Sequence, residues 1–192
     1  MQAIKFFKEF LAAPVHVGAF AASSRYLAEM TAGAAELETA SVVVEFGPGT
    51  GVITEKILAM MPGDAKLMTI EIREDFAKIM WEKYPEVITV HGGAEETARH
   101  LQEHFGVQHC DRIVSGLPWA AFDEALQDRL LDAMDEALEP GGRFVTYTYF
   151  QSPLLAGGKR FRQKLHERFS EIGETRMVWL NLPPAFVYWA VK

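Results

Sequence analysis

The stretch VVVEFGPGTGVITEKIL, residues 42–58, is the main evidence in this sequence for the predicted fold. Three β-branched residues lead into Glu45, and Gly47, Gly49 and Gly51 follow at alternate positions before an apolar-periodic segment begins. This order predicts a strand, a tight turn and a helix. A carboxylate at the mouth of such a turn repels a diphosphate but attracts an ammonium or sulfonium ion. The turn therefore predicts a site for a cationic ligand.

Length and composition favour one globular domain spanning residues 1–192, of which residues 1–25 form an N-terminal amphipathic helical region. The chain is 49% hydrophobic and 23% charged, so it can bury a sizeable core. Its net charge of −7 opposes long-range attraction to nucleic acid. Cys110 is the single cysteine, which excludes an internal disulfide, and no metal site is predicted. We expect a cytoplasmic protein without a transmembrane segment.

Strand-like and helix-like segments alternate through most of the chain. Apolar segments at 42–46, 67–72, 87–91, 112–115 and 143–150 are separated by helical patterns at 52–61, 75–84, 95–105 and 122–138. The alternation predicts an α/β protein with a doubly wound parallel sheet and a ligand at the carboxyl ends of its strands. Strand patterns at 175–182 and 185–191 flank Pro183 and Pro184, and predict a C-terminal antiparallel hairpin in a seven-stranded, mostly parallel sheet.

The turn EFGPGTG resembles the first motif of class I S-adenosylmethionine (SAM)-dependent methyltransferases. The resemblance implies a Rossmann-like methyltransferase fold, with SAM as the cofactor and S-adenosylhomocysteine as its product. A glycine-rich turn alone is also consistent with an ordinary strand-to-helix connection. The cofactor-binding residues that the resemblance implies in this turn are Glu45, Gly47, Pro48, Gly49, Thr50 and Gly51.

The end of the second strand provides an independent test of a nucleoside site. Such a site needs an acid about 20 residues beyond the turn to accept hydrogen bonds from the ribose hydroxyls. Glu71 in LMTIEIRED takes this position, and Ile72 is the predicted contact of the adenine face. After the third strand, HGGAEE resembles the adenine-edge motif, although a glycine stands where an aspartate is common. The further cofactor contacts are therefore Gly93, Ala94 and Glu95.

The fourth strand ends in IVSGLPW, residues 113–119, which resembles the N-P-P-Y and N-L-P-Y elements of amino-methylating enzymes in this class. The resemblance implies an amine acceptor, because inward carbonyls and an aromatic face stabilise charge that develops on nitrogen. Ser115 replaces the asparagine of N-P-P-Y, which disfavours a nucleobase amine. The alternative is a loop with a buried tryptophan. The predicted catalytic residues are Ser115, Gly116, Leu117, Pro118 and Trp119, with Tyr26, Tyr149 and His16 as candidates for assisting proton loss.

Two segments outside these motifs resemble the bacterial phospholipid N-methyltransferases, relatives of the ribosomal RNA adenine dimethyltransferases. They are VGAFAASSRYLAEM, residues 17–30, and NLPPAFVYWAVK, residues 181–192. The resemblance implies SAM-dependent methylation of phosphatidylethanolamine, and of its mono- and dimethyl forms, at the membrane surface. The alternatives are an RNA adenine N6-methyltransferase and a SAM- or membrane-binding protein without catalysis.

Two segments are candidate contacts with phospholipid headgroups at an anionic membrane, and they predict peripheral membrane association. In IKFFKEFL, residues 4–11, the apolar side chains gather on one helical face, although such a helix can equally dock on the core. In KRFRQKLHERF, residues 159–169, five cations accompany one acid, which is also typical of a solvated helix face. Residues 153–158 are predicted to form a mobile acceptor-side loop. No nucleic acid partner is expected.

Overall fold

The computed structural model describes residues 24–192, in which seven strands form one sheet. The strands are β1 (Val42–Phe46), β2 (Lys66–Glu71), β3 (Ile88–His91), β4 (Cys110–Ser115), β5 (Leu138–Tyr149), β6 (Glu171–Glu174) and β7 (Ala185–Val191). Their order is β3-β2-β1-β4-β5-β7-β6; the first five are parallel, and β7 runs antiparallel to both of its neighbours. This confirms the predicted Rossmann-like sheet. The predictions for residues 4–11 and for His16 lie outside the described residues.

Six α-helices cover the two faces of the sheet in the described part of the chain. They are α1 (Arg25–Ala34), α2 (Val52–Met60), α3 (Glu74–Lys83), α4 (Thr97–Phe105), α5 (Glu124–Ala137) and α6 (Ala156–Arg168). The first three pack on one face of the sheet and the last three on the other. Helices α1 and α5 begin at side-chain caps, where Ser24 and Asp123 accept hydrogen bonds from the backbone N–H groups of Leu27 and Leu126.

The parallel strands end on one edge of the sheet, which we call the carboxyl edge. Strand β1 aligns with both neighbours there, since Phe46 pairs with Ile70 of β2 and with Ser115 of β4. Both faces of β1 are covered, which explains its continuous apolar sequence. The loops that follow β1, β2, β3 and β4 therefore meet at this edge.

The C-terminal hairpin is present, but its first strand lies earlier than the sequence predicts. Strand β6 occupies Glu171–Glu174, whereas the predicted strand at 175–182 is largely a loop with one isolated bridge at Val178. Asn181 folds this loop, because its side chain donates to the carbonyl of Pro183 at 2.7 Å and accepts from the Ser24 N–H at 2.9 Å. A side chain that satisfies backbone groups in this way competes with strand pairing.

Residues 153–158 are ordered by close packing, which corrects the prediction of a mobile loop. A short 3₁₀ helix covers Ser152–Leu154, and α6 starts at Ala156. A Cβ added to Gly157 would overlap the carbonyl of Ala120, and one added to Gly158 would overlap the carbonyl of Ser152. Glycine at position 157 lets this segment lie directly against the residues that follow β4, and glycine at position 158 lets it fold closely onto Ser152.

The cations of α6 pair largely within the protein. Lys164 contacts Asp128 of α5, and Arg168 donates to Asp132 of the same helix at 2.6 Å. Arg160 donates to the carbonyl of Phe122 at 3.0 Å, and Arg162 pairs with Glu174. These contacts favour the interpretation of the charged segment as a structural helix face over a phosphate-binding surface.

Candidate functional site

The glycine turn between β1 and α2 adopts a conformation that requires glycine. Gly47, Gly49 and Gly51 have φ angles of +66°, +58° and +78°. A Cβ on Gly51 would lie 2.5 Å from the ring of Tyr84, whereas one on Gly49 would meet nothing within 4 Å. The turn is thus packed against α3 at one end and open at Gly49. Pro48 is buried and Thr50 is exposed beside it.

Glu71, at the end of β2, joins the second strand to this turn. One of its carboxylate oxygens accepts from the Gly49 N–H at 3.2 Å, and the other accepts from the Arg73 N–H at 2.9 Å. The residue is 4% exposed, and burial raises its pKa while these two hydrogen bonds oppose the rise. Each oxygen keeps further acceptor capacity. The carboxylate can therefore receive two neighbouring hydroxyl groups.

Glu45 offers a buried acceptor on the other side of the turn. Thr54 donates to one carboxylate oxygen at 2.6 Å, and the other oxygen has no hydrogen-bond partner among the described residues. Burial raises the pKa of Glu45 to about 8, against the effect of the Thr54 hydrogen bond. A cationic donor that reached the free oxygen would favour the ionised form. The residue fits the ammonium of an amino-acid ligand.

A pocket opens beside Glu71 at the ends of β1, β2 and β3. Ile72 and Ala94, two of the predicted cofactor contacts, line it together with residues that were not predicted from the sequence. Its full lining comprises Gly47, Ile70, Glu71, Ile72, Gly92, Gly93, Ala94, Glu95, Leu117, Phe122, Leu126 and Leu130. The four-residue spacing of Phe122, Leu126 and Leu130 in the sequence is consistent with a helix face that lines a pocket, but it is equally typical of a helix face in the core. Apolar walls with carboxylates at the mouth suit a flat base with polar edges.

Glu95 supplies an acid beside Gly93, the position where this chain has a glycine instead of the aspartate that is common in the adenine-edge motif. A Cβ on Gly93 would lie 2.5 Å from a carboxylate oxygen of Glu95, so the Glu95 side chain folds back over Gly93. Its other oxygen lies 3.9 Å from Nε of Arg129. Glycine at position 93 thus makes room for a carboxylate that comes from two residues further along the chain.

The loop after β4, residues 115–119, lies directly against the glycine turn; we call it the acceptor loop. The Gly116 N–H donates to the Phe46 carbonyl at 2.7 Å, and a Cβ on Gly116 would lie only 2.6 Å from the Gly47 carbonyl oxygen. Leu117 contacts the same glycine and also lines the pocket. Glycine at position 116 is required for this close approach, so the two loops form one unit.

Trp119 does not present an aromatic face to an acceptor, which corrects its predicted role as an amine contact. The side chain is 3% exposed and stacks on Phe161 of α6 at 4.7 Å between ring centroids. Its indole N–H donates to the Ser115 hydroxyl at 3.0 Å, and that hydroxyl also accepts from the Leu117 N–H. Ser115 and Trp119 therefore shape the acceptor loop from inside the core. Pro118, between them in sequence, is partly exposed.

The two predicted tyrosines differ in their surroundings. Tyr149 ends β5 at the carboxyl edge and packs edge-on against Tyr147, and burial raises its pKa to about 12. Its phenol is therefore a hydrogen-bond donor at neutral pH rather than a base. Tyr26 lies on α1, is 40% exposed and accepts a hydrogen bond from Arg25 at 2.8 Å. The Arg25 guanidinium also covers the Tyr26 ring at 4.8 Å.

Potential metal ligands gather on α4. His100, Glu103 and His104 each place a ligand atom within 4.8 Å of the others, and the last two are exposed. The sequence predicts no metal site, and methyl transfer to an amine needs none. We assign this group no role in the reaction.

Comparison with known proteins identifies the family. The model of the ribosomal RNA adenine dimethylase family matches residues 22–94. The ornithine lipid N-methyltransferase of Singulisphaera acidiphila is 32% identical over 187 residues, which cover 96% of this chain and 91% of that protein. The chain belongs to the family of this enzyme, the class I SAM-dependent methyltransferases. The methyltransferase thus binds SAM.

Solved structures agree with the fold of the methyltransferase. An O-methyltransferase from Bacillus cereus in complex with SAH has a TM-score of 0.68 at 14% identity, covering 100% of this chain and 91% of that chain. TomG from Streptomyces achromogenes, in complex with SAM, has a TM-score of 0.64 at 18% identity, covering 100% and 88%. At these identities the likeness shows the fold alone. In residues 24–192 of the methyltransferase, none of the helices has the length and hydrophobicity that a membrane span requires.

Proposed function

We propose that this methyltransferase methylates the amine of a membrane lipid headgroup, with phosphatidylethanolamine and its mono- and dimethyl forms as acceptors. The observation that carries the proposal is the extent of similarity to the lipid enzyme, which spans 96% of the chain. The adenine dimethylase match ends at residue 94, before the acceptor loop. The acceptor side decides the substrate, whereas a cofactor site is shared across chemistries. A lipid acceptor therefore has more support than an RNA adenine.

Ornithine lipid is a second candidate acceptor, because the relative is named for it. Phosphatidylethanolamine and ornithine lipid both present a primary amine and an anionic group at the end of acyl chains. An acceptor loop that recognises the amine through its backbone accommodates either headgroup. The two lipids are therefore offered separately in the transfer experiment described below.

The cofactor roles follow from the buried acceptors around the glycine turn. When bound, SAM supplies an electrophilic methyl group on a sulfonium centre. Glu71 receives the ribose hydroxyls and Glu45 receives the ammonium with its free oxygen. Glu95 receives the exocyclic amine of the base at the pocket mouth. Each role pairs a carboxylate with hydrogen-bond donors of the ligand.

The acceptor loop positions the amine beside the cofactor. Backbone carbonyls of residues 115–118 receive its N–H groups on lone pairs that remain beside internal hydrogen bonds, which the carbonyls of Ser115, Leu117 and Pro118 already accept. The Gly116 to Phe46 hydrogen bond fixes their distance from the glycine turn. The Tyr149 phenol is protonated at neutral pH, and burial raises its pKa further, to about 12, so it orients the headgroup rather than removing a proton. The amine loses its proton to water before transfer. Alignment of the reacting atoms supplies most of the acceleration.

Incubation with methyl-labelled SAM tests the proposal. Vesicles that contain phosphatidylethanolamine, ornithine lipid or phosphatidylcholine alone are offered separately, with RNA as a further arm. We expect label in at least one of the two amine lipids, none in phosphatidylcholine alone, and reduced transfer in Glu71→Ala but not in the exposed Glu74→Ala. Label confined to adenines of RNA would overturn the proposal. SAM binding without transfer to any acceptor would instead support the non-catalytic alternative.

A further inference from the structure

Two loops beside the acceptor loop expose a concentration of apolar side chains. Among residues 24–192, ten large hydrophobic side chains are exposed, and six of them lie in these loops. We call these six the apolar rim: Phe150, Leu154 and Leu155 after β5, and Trp179, Leu180 and Leu182 between β6 and β7. Their exposure ranges from 51% for Phe150 to 85% for Leu182. Such a patch is typical of a surface that binds another apolar surface.

Hydrogen bonds make the rim one surface and join it to the acceptor loop. The Phe150 N–H donates to the Pro184 carbonyl at 3.0 Å, which links the loop after β5 to the loop before β7. The Gln127 side chain donates to the carbonyls of Trp119 at 2.7 Å and Gly157 at 3.0 Å, which links the acceptor loop to the start of α6. The rim therefore borders the place where the acceptor amine is expected.

The charge of the rim segments differs from that of the whole chain. The chain has 26 acidic residues and a net charge of −7, yet no acid occurs between Glu139 and Glu167 or after Glu174. These acid-free segments contain the whole rim. They also contain cations close to it in sequence, Lys159 and Arg176. Apolar side chains flanked by cations and free of carboxylates are complementary to an anionic lipid surface.

We infer that the apolar rim is the surface that docks this protein on an anionic bilayer, so that a headgroup amine enters the acceptor loop from the membrane. The inference deepens the proposed lipid N-methyltransferase function and rests on it. A bilayer is favoured over a second copy of the chain, because a symmetric interface would bring the same flanking cations towards each other. The rim inserts Trp179 and the leucines at the headgroup boundary, while Lys159 and Arg176 face lipid phosphates.

A pair of matched double variants of the full chain tests the rim. Trp179→Ala with Leu182→Ala removes apolar surface from the rim. Trp81→Ala with Ile79→Ala removes similar groups from α3, which packs near β3 at the far edge of the sheet, where they are 44% and 37% exposed. We expect the rim pair to lower sedimentation with phosphatidylcholine–phosphatidylglycerol vesicles by about tenfold or more, and the α3 pair to change it by less than about twofold.

Both double variants are expected to bind SAM with unchanged affinity in calorimetry, which verifies that they fold. Equal sedimentation of the rim and α3 variants would overturn the inference. So would a wild-type dimer in solution that becomes monomeric in the rim variant, since the rim would then bind a second copy. Loss of vesicle binding on removal of residues 1–13, with no loss in the rim variant, would assign docking to the N-terminal segment instead.

Methyl transfer to a short-chain, water-soluble phosphatidylethanolamine tests the docking surface and the proposed function separately. The rim variant is expected to methylate this dispersed acceptor at the wild-type rate while losing activity on vesicles. If the wild type binds vesicles through the rim but methylates neither form of acceptor, the proposed function fails and the docking surface stands. If the wild type methylates both forms and the rim variant does so equally well, the docking surface fails and the function stands.

Discussion

The two halves of the carboxyl edge differ in the groups that they present to a ligand. The half formed by β1, β2 and β3 has a turn with three glycines at positive φ and two buried carboxylates, Glu45 and Glu71. The half formed by β4, β5 and the loop before β7 has a buried tryptophan beneath it and exposed apolar side chains above it. The first half suits a small polar ligand that must be held in one orientation. The second suits an acceptor whose acyl chains stay in another phase.

The two halves also differ in how far apart in the sequence the residues that build them lie. In the cofactor half, backbone groups and carboxylates at the ends of successive strands define the site, and each lies in a short sequence pattern of its own. In the acceptor half, the loop depends on Phe161 and Gln127, which come from α6 and α5. Substitutions in the cofactor half should therefore change SAM affinity directly. Substitutions in the acceptor half that do not touch the glycine turn should change transfer while sparing SAM affinity.

The largest expected effect concerns the buried Glu45. Its pKa rises from an ordinary 4.5 to about 8 because of burial. The folded state then holds a proton that the unfolded state has lost, so stability falls as pH rises from about 4.5 to about 8. Relative to Glu45→Gln, the wild-type free energy of unfolding should fall by up to about 1.4 kcal/mol per pH unit across this window. Denaturant unfolding at several pH values measures it; parallel curves for the two proteins would contradict the assignment.

Gly116 tests whether the two halves form one unit. In Gly116→Ala, the Cβ would lie 2.6 Å from the Gly47 carbonyl oxygen, so one loop must move. Overpacking of this kind costs about 1 to 3 kcal/mol, which corresponds to a roughly fivefold to 150-fold loss of SAM affinity if the glycine turn moves. Gly63→Ala, where a Cβ meets nothing within 4 Å, is the control. Unchanged calorimetric affinity and unchanged thermal stability in Gly116→Ala would show that the halves are independent.

Glu71 tests the cofactor half alone. Glu71→Ala removes the acceptor of the Gly49 and Arg73 N–H groups as well as the proposed ribose contact. A loss of about 1 to 3 kcal/mol in SAM binding is expected. Glu74→Ala, which removes an exposed carboxylate paired with Lys78, should leave affinity unchanged. Equal affinities of the two variants in calorimetry would exclude Glu71 from the site.

Much of the cofactor half could be predicted from the sequence because its signals are local. Strand ends, positive-φ glycines and the acid at Glu71 follow from spacing along the chain. For Trp119 the sequence left two directions, an acceptor contact and a buried side chain, and the second is observed because the indole turns inward to stack on Phe161, which lies far along the chain. The strand proposed at 175–182 was wrong because the side chain of Asn181 folds that segment through contacts with Pro183 and with Ser24, which lies 157 residues away in sequence.

The smallest expected effect belongs to the acceptor half. Tyr149→Phe removes a phenol that stays protonated at neutral pH, so at most one hydrogen bond to the headgroup is lost. We expect transfer to fall by no more than about tenfold, with SAM affinity unchanged. The pH dependence of the remaining transfer should match that of the wild type. A loss of all transfer, or a changed pH profile, would mean that Tyr149 moves a proton.

The most direct test of the central claim is mass spectrometry of lipids after reaction of the full chain with SAM and mixed vesicles of phosphatidylethanolamine, ornithine lipid and phosphatidylglycerol. We expect at least one of the two amine lipids to gain methyl groups on its nitrogen and phosphatidylglycerol to gain none. Gly49→Val, which strains the positive φ of the glycine turn, should abolish the products. Unmodified lipids, with methyl groups found instead on adenines of RNA offered in the same reaction, would contradict it.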